Sequence, residues 1–494
     1  MIKLKDIKNQ KINNTKIVEI LFYSFPLSFI LGNLIINLHL LAFIIVSFFL
    51  INKRELKTRF KSYYWILISF FLYFFLLTSI QFHYPEFINE KIKDWPFESQ
   101  PMFKSFIFVR FIILIFIVDT LFLNKILSLK KLFLFSLLCT SFVSFDIILQ
   151  YFTGTDLFGY KTHKTWNSGP FGDEFIAGGY LQKFSFLSFF YFLINKDHNK
   201  NQKLIIILII VSHLVAILFA GNKMSFLLSI FGCGLLVLFI RNIRIVMSVS
   251  LICFLGVFLI LIQNDTKLKS RYVSLFNEVN VLNIFDFSNK TNTKEKKENT
   301  DEKIKVTHEW EGIKTEWSEG IWRKNWEGII ILRTSGYNRI FRTAIAVWKE
   351  NPIFGSGLKS FRILCWEVGP KYKHLEPKAY EVENTSAASA KFSIFSCSTH
   401  PHNYYLELLS ESGLVGTILM IAFFLVLLSK SFHHLKLYSR NTNPELLFLI
   451  PFIVVIFIDI WPLRSSGSFF TSGNATFFWL SIAIFLANQK MEKN

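Results

Sequence analysis

Apolar residues in this chain come in blocks of about 20 that recur along nearly the whole sequence, and each block can carry a helix across roughly 30 Å of hydrocarbon. That pattern excludes an ordinary soluble enzyme, whose apolar positions are scattered at a helical or strand period. The blocks are continuous rather than alternating, which favours helices over a β-barrel, because a helix in lipid satisfies its own backbone polar groups. Of the 494 residues 52% are hydrophobic and 17% aromatic, 58 of them Phe, more apolar surface than a water-facing exterior tolerates.

The blocks centre near Ser24, Phe43, Phe71, Ile113, Phe142, Ser185, Val211, Phe231, Phe254, Ile421, Val454 and Ile482. The expected fold class is therefore all-α: a polytopic membrane protein with about 12 transmembrane helices and one large extracytoplasmic loop containing short helices. The formal net charge of +19 does not point to nucleic acid, since the cations lie between the apolar blocks instead of forming one basic face. They set topology. Lys3 to Lys16, Lys53 to Lys61, Lys125 to Lys131, Lys196 to Lys203, Arg241 with Arg244, Lys430 to Arg440, and Lys490 with Lys493 all fall on the face shared by the two termini, which the positive-inside rule makes cytoplasmic. The basic N-terminus runs into apolar sequence without a small-residue cleavage site and reads as an uncleaved first helix.

Three regions follow: a membrane bundle of nine helices over 1–263, an external loop over 264–403, and three more helices over 404–494. Within the loop, about 289–320 is charged and poor in apolar residues and reads as a flexible insertion; 330–403 reads as a folded cap. Cys139, Cys233 and Cys253 lie in apolar blocks and act as small buried hydrophobes. Cys365 and Cys397 share the external loop, where their spacing leaves a disulfide open. No spacing resembles a metal site.

Candidate chemistry concentrates at THPHNYYLELLSESGLVGT, where the loop enters the tenth helix. Asn403 is placed to cap that helix, and Gly413 and Gly416 permit close approach of another helix. His402 then stands about 16 Å outside Gly413, at headgroup depth. A neutral imidazole there can take the proton of an attacking hydroxyl; His400, two residues earlier, is the weaker candidate. Arg339 and Arg342, three apart in RIFRTAIAVW, share a helix face suited to gripping phosphate oxygens. Arg110 and Asp119 are ionisable groups within the fourth block. Asp173 and Glu174, and Asp459 with Arg464, are further candidates beside the external turns.

The stretch resembles the O-antigen ligase and polymerase superfamily, in which His-Asn is followed after nine residues by Gly-x-x-Gly-Thr; here these are His402-Asn403 and Gly413-Leu-Val-Gly416-Thr417. SGYNRIFRTAIAVWKENPIFGSGLKSF is similar to the family's Arg-containing helix, Asn-Pro and Gly-x-Gly turn. Arg339 is the better match to the family Arg, with Arg342 the alternative. In FAGNKMSF, Lys223 stands where the family has an Arg, keeping the charge and losing the planar fork.

The resemblance implies a glycosyltransferase of the bacterial inner membrane, with cytoplasmic termini and a periplasmic site, that needs no cofactor or metal. It would move a glycan from a polyprenyl-diphosphate-linked donor to lipid A-core or to a glycan acceptor, among membrane lipids and without nucleic acid. His402 and Arg339 would be catalytic, and Lys223, Arg342, Asn403 and Glu411 substrate-binding. O-antigen ligase is the favoured role; polymerase and protein O-oligosaccharyltransferase are alternatives, and a lipid-linked glycan flippase is the rival from another class.

Overall fold

The structure, a computed structural model, describes residues 4–51, 61–83, 99–163, 166–194, 199–279, 305–310, 313–318, 336–371, 396–440, 444–465 and 467–487. Its first helices are α1 (Leu4–Tyr23), α2 (Phe25–Ile30), α3 (Asn33–Phe48), α4 (Tyr63–His83), α5 (Ser99–Ile107), α6 (Arg110–Leu123) and α7 (Leu129–Thr153). They continue as α8 (Ala177–Leu193), α9 (Lys200–Ala220), α10 (Lys223–Phe239), α11 (Arg244–Asn264) and α12 (Thr266–Val279). After the large loop's α13 (Gly336–Glu350) and α14 (Phe361–Lys371) come α15 (Tyr404–Arg440), α16 (Pro444–Leu447), α17 (Ile450–Asp459) and α18 (Ser472–Ala487).

By length and composition, six helical stretches can cross a membrane: α4, Pro101–Leu123, α7, α9, Arg241–Asn264 and α15. Four shorter apolar helices, α3, α10, α17 and α18, accompany them. Eleven of the expected block centres fall inside helices, although among the described residues six helices are both long and apolar enough to span. The first centre does not: Ser24 separates α1 from α2, where Pro26 in the first turn of α2 starts a new helix. The chain is a multi-pass helical membrane protein.

Among the described residues one departure from an all-helical chain lies in the long segment between α12 and α13. Strands β1 (Lys305–Trp310) and β2 (Ile313–Ser318) pair antiparallel, with Val306 opposite Trp317 and His308 opposite Thr315. Their β-branched and aromatic residues suit such pairing. This hairpin falls within the stretch expected to be flexible; the rest of that stretch lies outside the described residues.

Packing in the bundle is aromatic. Lipid gives helices no hydrophobic reason to associate, so close packing must hold them. Trp479 of α18 is a hub, with ring centroids 5.5 Å from Phe71 of α4, 6.0 Å from Phe111 of α6 and 5.9 Å from Phe423 of α15. Each such pair contributes about 0.5–1.5 kcal/mol beyond its buried area.

The ionisable pair of the fourth block does not pair internally. Arg110 donates to Asn37 Oδ1 at 2.9 Å, while buried Asp119 faces Lys61 at 3.5 Å. The two sit at opposite ends of α6, so each finds a partner on a neighbouring segment.

Helices α13 and α14 pack together around a small apolar cluster of their own. Ala344, Val347, Phe361 and Leu364 build it together with Cys365. A disulfide joins Cys365 to Cys397, with Cα atoms 5.2 Å apart. Thr343 Oγ1 donates to the Ser396 carbonyl at 3.0 Å and accepts from the Ser396 N–H at 3.0 Å. Together these contacts fix the approach of 396–403 to the head of α15.

Candidate functional site

Helix α15 begins with a purpose-built turn. Asn403 Oδ1 accepts from the N–H groups of Tyr405 (3.0 Å) and Leu406 (3.2 Å), the expected N-cap. Its Nδ2 donates to the carbonyls of Pro462 (2.9 Å) and Arg464 (3.1 Å), tying the turn before α18 to the head of α15. Arg464 is ion-paired with Asp459 and lies over the Tyr404 ring, 5.0 Å from its centroid. Asp459 and Arg464 therefore pair with each other and position this turn.

His402, just before the cap, adopts a left-handed backbone conformation, φ 57°, a strained choice for a residue with a Cβ. Ser398 Oγ lies 3.1 Å from its Nε2. Its ring lies 4.0 Å from that of His400 and 5.2 Å from that of Tyr337. Tyr337 is the second residue of α13, so the head of that helix abuts His402. Arg339 follows two residues on and is exposed. Arg342 is half-buried, and its burial pulls its pKa below the ordinary arginine value.

Gly413 does not serve as a helix-contact glycine. It breaks α15, with φ 61° and ψ −167°, and the 352–357 loop threads across the break. Leu414 N donates to the Pro352 carbonyl (2.9 Å) and Val415 N to that of Ile353 (3.1 Å); in return Gly357 N donates to the Glu411 carbonyl at 2.8 Å and Ser356 N to that of Ser410 at 3.3 Å. The loop satisfies the backbone groups that the break exposes, which a membrane protein must do. Tyr73 of α4 clamps the crossing, its hydroxyl 2.5 Å from the Phe354 carbonyl and 3.0 Å from that of Ser412.

Two carboxylates project from α15 just outside the break. Buried Glu407 accepts from Ser468 Oγ and from Phe469 N (2.6 Å). Glu411, one turn deeper, is 2% exposed, and its Oε2 has no hydrogen-bond partner. Around them stand three cations that the sequence reading missed: Lys104 of α5, Lys359 in the turn after Gly357, and Arg362 of α14. Lys359 and Arg362 are neighbours in sequence, and the fold brings the distant Lys104 beside them.

Lys223 opens α10 in a different setting. Asn222 beside it donates to the Phe175 carbonyl at 3.1 Å, and Trp166 Nε1 donates to the Gly221 carbonyl at 3.3 Å. Gly178 packs against Asn222 so closely that a Cβ there would lie 2.7 Å from its Oδ1. Asp173 and Glu174 are exposed in the preceding loop. Phe231 of α10 packs on Trp461 with centroids 5.0 Å apart, so α10 braces the same 461–464 turn to which Asn403 is tied. Among the described residues no group of three His, Cys, Asp or Glu side chains is placed to hold a metal ion.

Residues 204–421 match the family described as O-antigen ligase. This match supports placing the chain in the O-antigen ligase and polymerase superfamily. The matched O-antigen ligase segment takes in Lys223, Arg339, Arg342, His402, Asn403 and Glu411, and ends eight residues beyond the break at Gly413. No curated protein matches the chain.

Proposed function

We propose that this protein is a glycosyltransferase that moves a glycan from a polyprenyl-diphosphate carrier to an acceptor hydroxyl at the periplasmic face of the inner membrane, acting as an O-antigen ligase on lipid A-core. The observation that carries this reading is the strained, clamped presentation of His402 beside the head of the arginine helix. The Cys365–Cys397 bridge supports the sidedness, since disulfides persist in oxidising compartments such as the periplasm.

In the proposed step the acceptor oxygen attacks the anomeric carbon, the bond from that carbon to the carrier's phosphate oxygen breaks, and its electron pair leaves with the diphosphate. His402 takes the hydroxyl proton. Arg339, with Arg342 and Lys223, holds the diphosphate as its charge grows. Stabilisation of that charge by fixed cations is the larger contribution, and general-base help adds about 10²- to 10⁴-fold. Direct displacement inverts the anomeric centre.

The test is transfer by the purified protein in liposomes, offering a polyprenyl-diphosphate glycan with lipid A-core or with a second carrier-linked repeat. Product on lipid A-core that disappears in His402→Ala and Arg339→Ala supports the ligase. Lengthened carrier-linked chains would make the protein a polymerase, and carrier crossing the bilayer without transfer would make it a flippase.

A further inference from the structure

Of the five charged groups on the α4–α5–α14 side of α15, Lys104, Lys359, Arg362 and Glu407 take no part in the step proposed above, and Glu411 has been given only a general substrate-binding role. Lys104 of α5 meets the segment of Lys359 and Arg362 at the head of α14: the side chains of Lys104 and Lys359 interact, and Arg362 adjoins both. Below them lie Glu407, already bonded to Ser468 and Phe469, and Glu411, whose buried Oε2 is unpartnered. Arg362 Nε is likewise buried without a partner. Among the described residues no ion pair within 4.0 Å joins any of the three cations to either carboxylate. The cations outnumber the carboxylates, three to two.

Lys359 is held in place at a cost. Its φ of 61° lies in the left-handed region, and the turn around it is pinned by Leu358 N to Thr78 Oγ1 (3.2 Å), Gly357 N to the Glu411 carbonyl (2.8 Å) and Ser360 Oγ to the Gly357 carbonyl (2.8 Å). A Cβ on Gly357 would collide with Gln81 of α4. With three cations against two carboxylates the cluster keeps an excess of positive charge, which a bound anion relieves. Three cationic donors gathered at one place suit a phosphoryl group, which offers an acceptor oxygen to each.

The cluster is also close to the chemistry. Cys365, one helical turn beyond Arg362, is bridged to Cys397, and the adjacent Ser398 contacts His402. Lys223 lies elsewhere, on a helix packed against α8 and α17. The cluster is thus separate from Lys223, as binding of two anionic lipids needs.

We propose that Lys104, Lys359 and Arg362 form a second anion site that binds the phosphoryl group of the acceptor lipid, with Glu411 accepting a sugar hydroxyl beside it. This rests on the transferase reading, so the test separates the two. The full chain is placed in phosphatidylcholine nanodiscs, and binding of diphosphoryl lipid A, its dephosphorylated form and a polyprenyl diphosphate is measured by native mass spectrometry, alongside the transfer assay. Wild type should bind diphosphoryl lipid A at least about tenfold more tightly than the dephosphorylated form, as expected for hydrogen bonds to a charged group. Lys359→Gln, which keeps the backbone strain unchanged, and Arg362→Gln should each remove most of that preference while leaving polyprenyl-diphosphate binding intact.

Equal wild-type binding of the two lipid A forms would overturn the proposal, as would variants that weaken both forms alike. Loss of polyprenyl-diphosphate binding in the variants would assign the cluster to the donor and overturn the acceptor assignment. Phosphate preference without any transfer would leave the anion site standing and sink the transferase reading; transfer without preference would do the reverse.

Discussion

Gly355 and Gly413 cross backbone to backbone, so tightly that a Cβ on either would collide with the main chain of the other. Both sit at positive φ, 79° and 61°. This crossing holds the Asn-Pro loop in the break of α15, and through it the turn bearing Lys359 and the helix bearing Glu411. Gly355→Ala or Gly413→Ala should therefore destabilise the protein by at least about 2 kcal/mol, from strain and collision together, and abolish transfer. Gly234→Ala is the control: nothing lies within 4 Å of the added carbon, so its effect should stay within about 0.5 kcal/mol. Thermal unfolding in detergent compares the three.

Asn403 performs two tasks that substitutions can separate. Asn403→Asp keeps the cap acceptor for Tyr405 and Leu406 but turns a carboxylate oxygen toward the carbonyls of Pro462 and Arg464. Asn403→Ala removes cap and tether together. Loss of the cap costs about 1 kcal/mol, whereas an unmatched carboxylate buried against two carbonyls costs more. Asn403→Asp should thus be the less stable variant by urea unfolding; the reverse order would show that capping, not the tether, holds this turn.

Ser398→Ala tests the orientation of His402. Removing one hydrogen bond of net value about 0.5–1.5 kcal/mol should lower kcat roughly 2- to 12-fold with KM for the donor unchanged. An unchanged kcat would mean that the 3.1 Å contact does not set the imidazole's orientation.

What the sequence made legible follows from which signals are local. A block of apolar residues announces a helix wherever it packs, and Asn403 ahead of a helical run announces its cap. The break at Gly413 was not legible, because a glycine in an apolar helix looks the same whether it admits a neighbouring helix or ends the hydrogen-bond ladder. Only the partner loop, carrying Gly355, decides between them. Lys104, Lys359 and Arg362 gave no signal at all, since each alone looks like an ordinary cation near a helix end. Asp119 looked like a site residue until Lys61, from the segment before α4, came beside it.

The Cys365–Cys397 bridge closes a loop with a sequence separation of 32 and should contribute about 2–4 kcal/mol to the cap. Protein prepared without reductant and unfolded in alkylating reagent should label three cysteines, the free Cys139, Cys233 and Cys253, and all 5 after reduction. Five labels without reductant, from cells with an oxidising periplasm, would place the loop in the cytoplasm and reverse the topology.

Burial, and then the neighbouring Arg362 cation, hold the Lys359 pKa below the usual lysine range. The groups facing it are Lys104 from α5, Arg362 from α14, and Glu407 and Glu411 from α15. Lysine is cationic below its pKa, so the phosphoryl affinity it supplies is present at low pH and fades as pH rises through that lowered value. A surface lysine would hold its charge to about pH 10. A phosphomonoester is essentially dianionic once the pH is well above its second pKa of about 6, so a decline in alkaline solution belongs to the protein. Lys359→Arg combined with Lys104→Arg keeps both charges throughout and should flatten the alkaline limb of diphosphoryl lipid A binding. If wild type and the double variant instead fall together, neither lysine supplies the pH-dependent affinity.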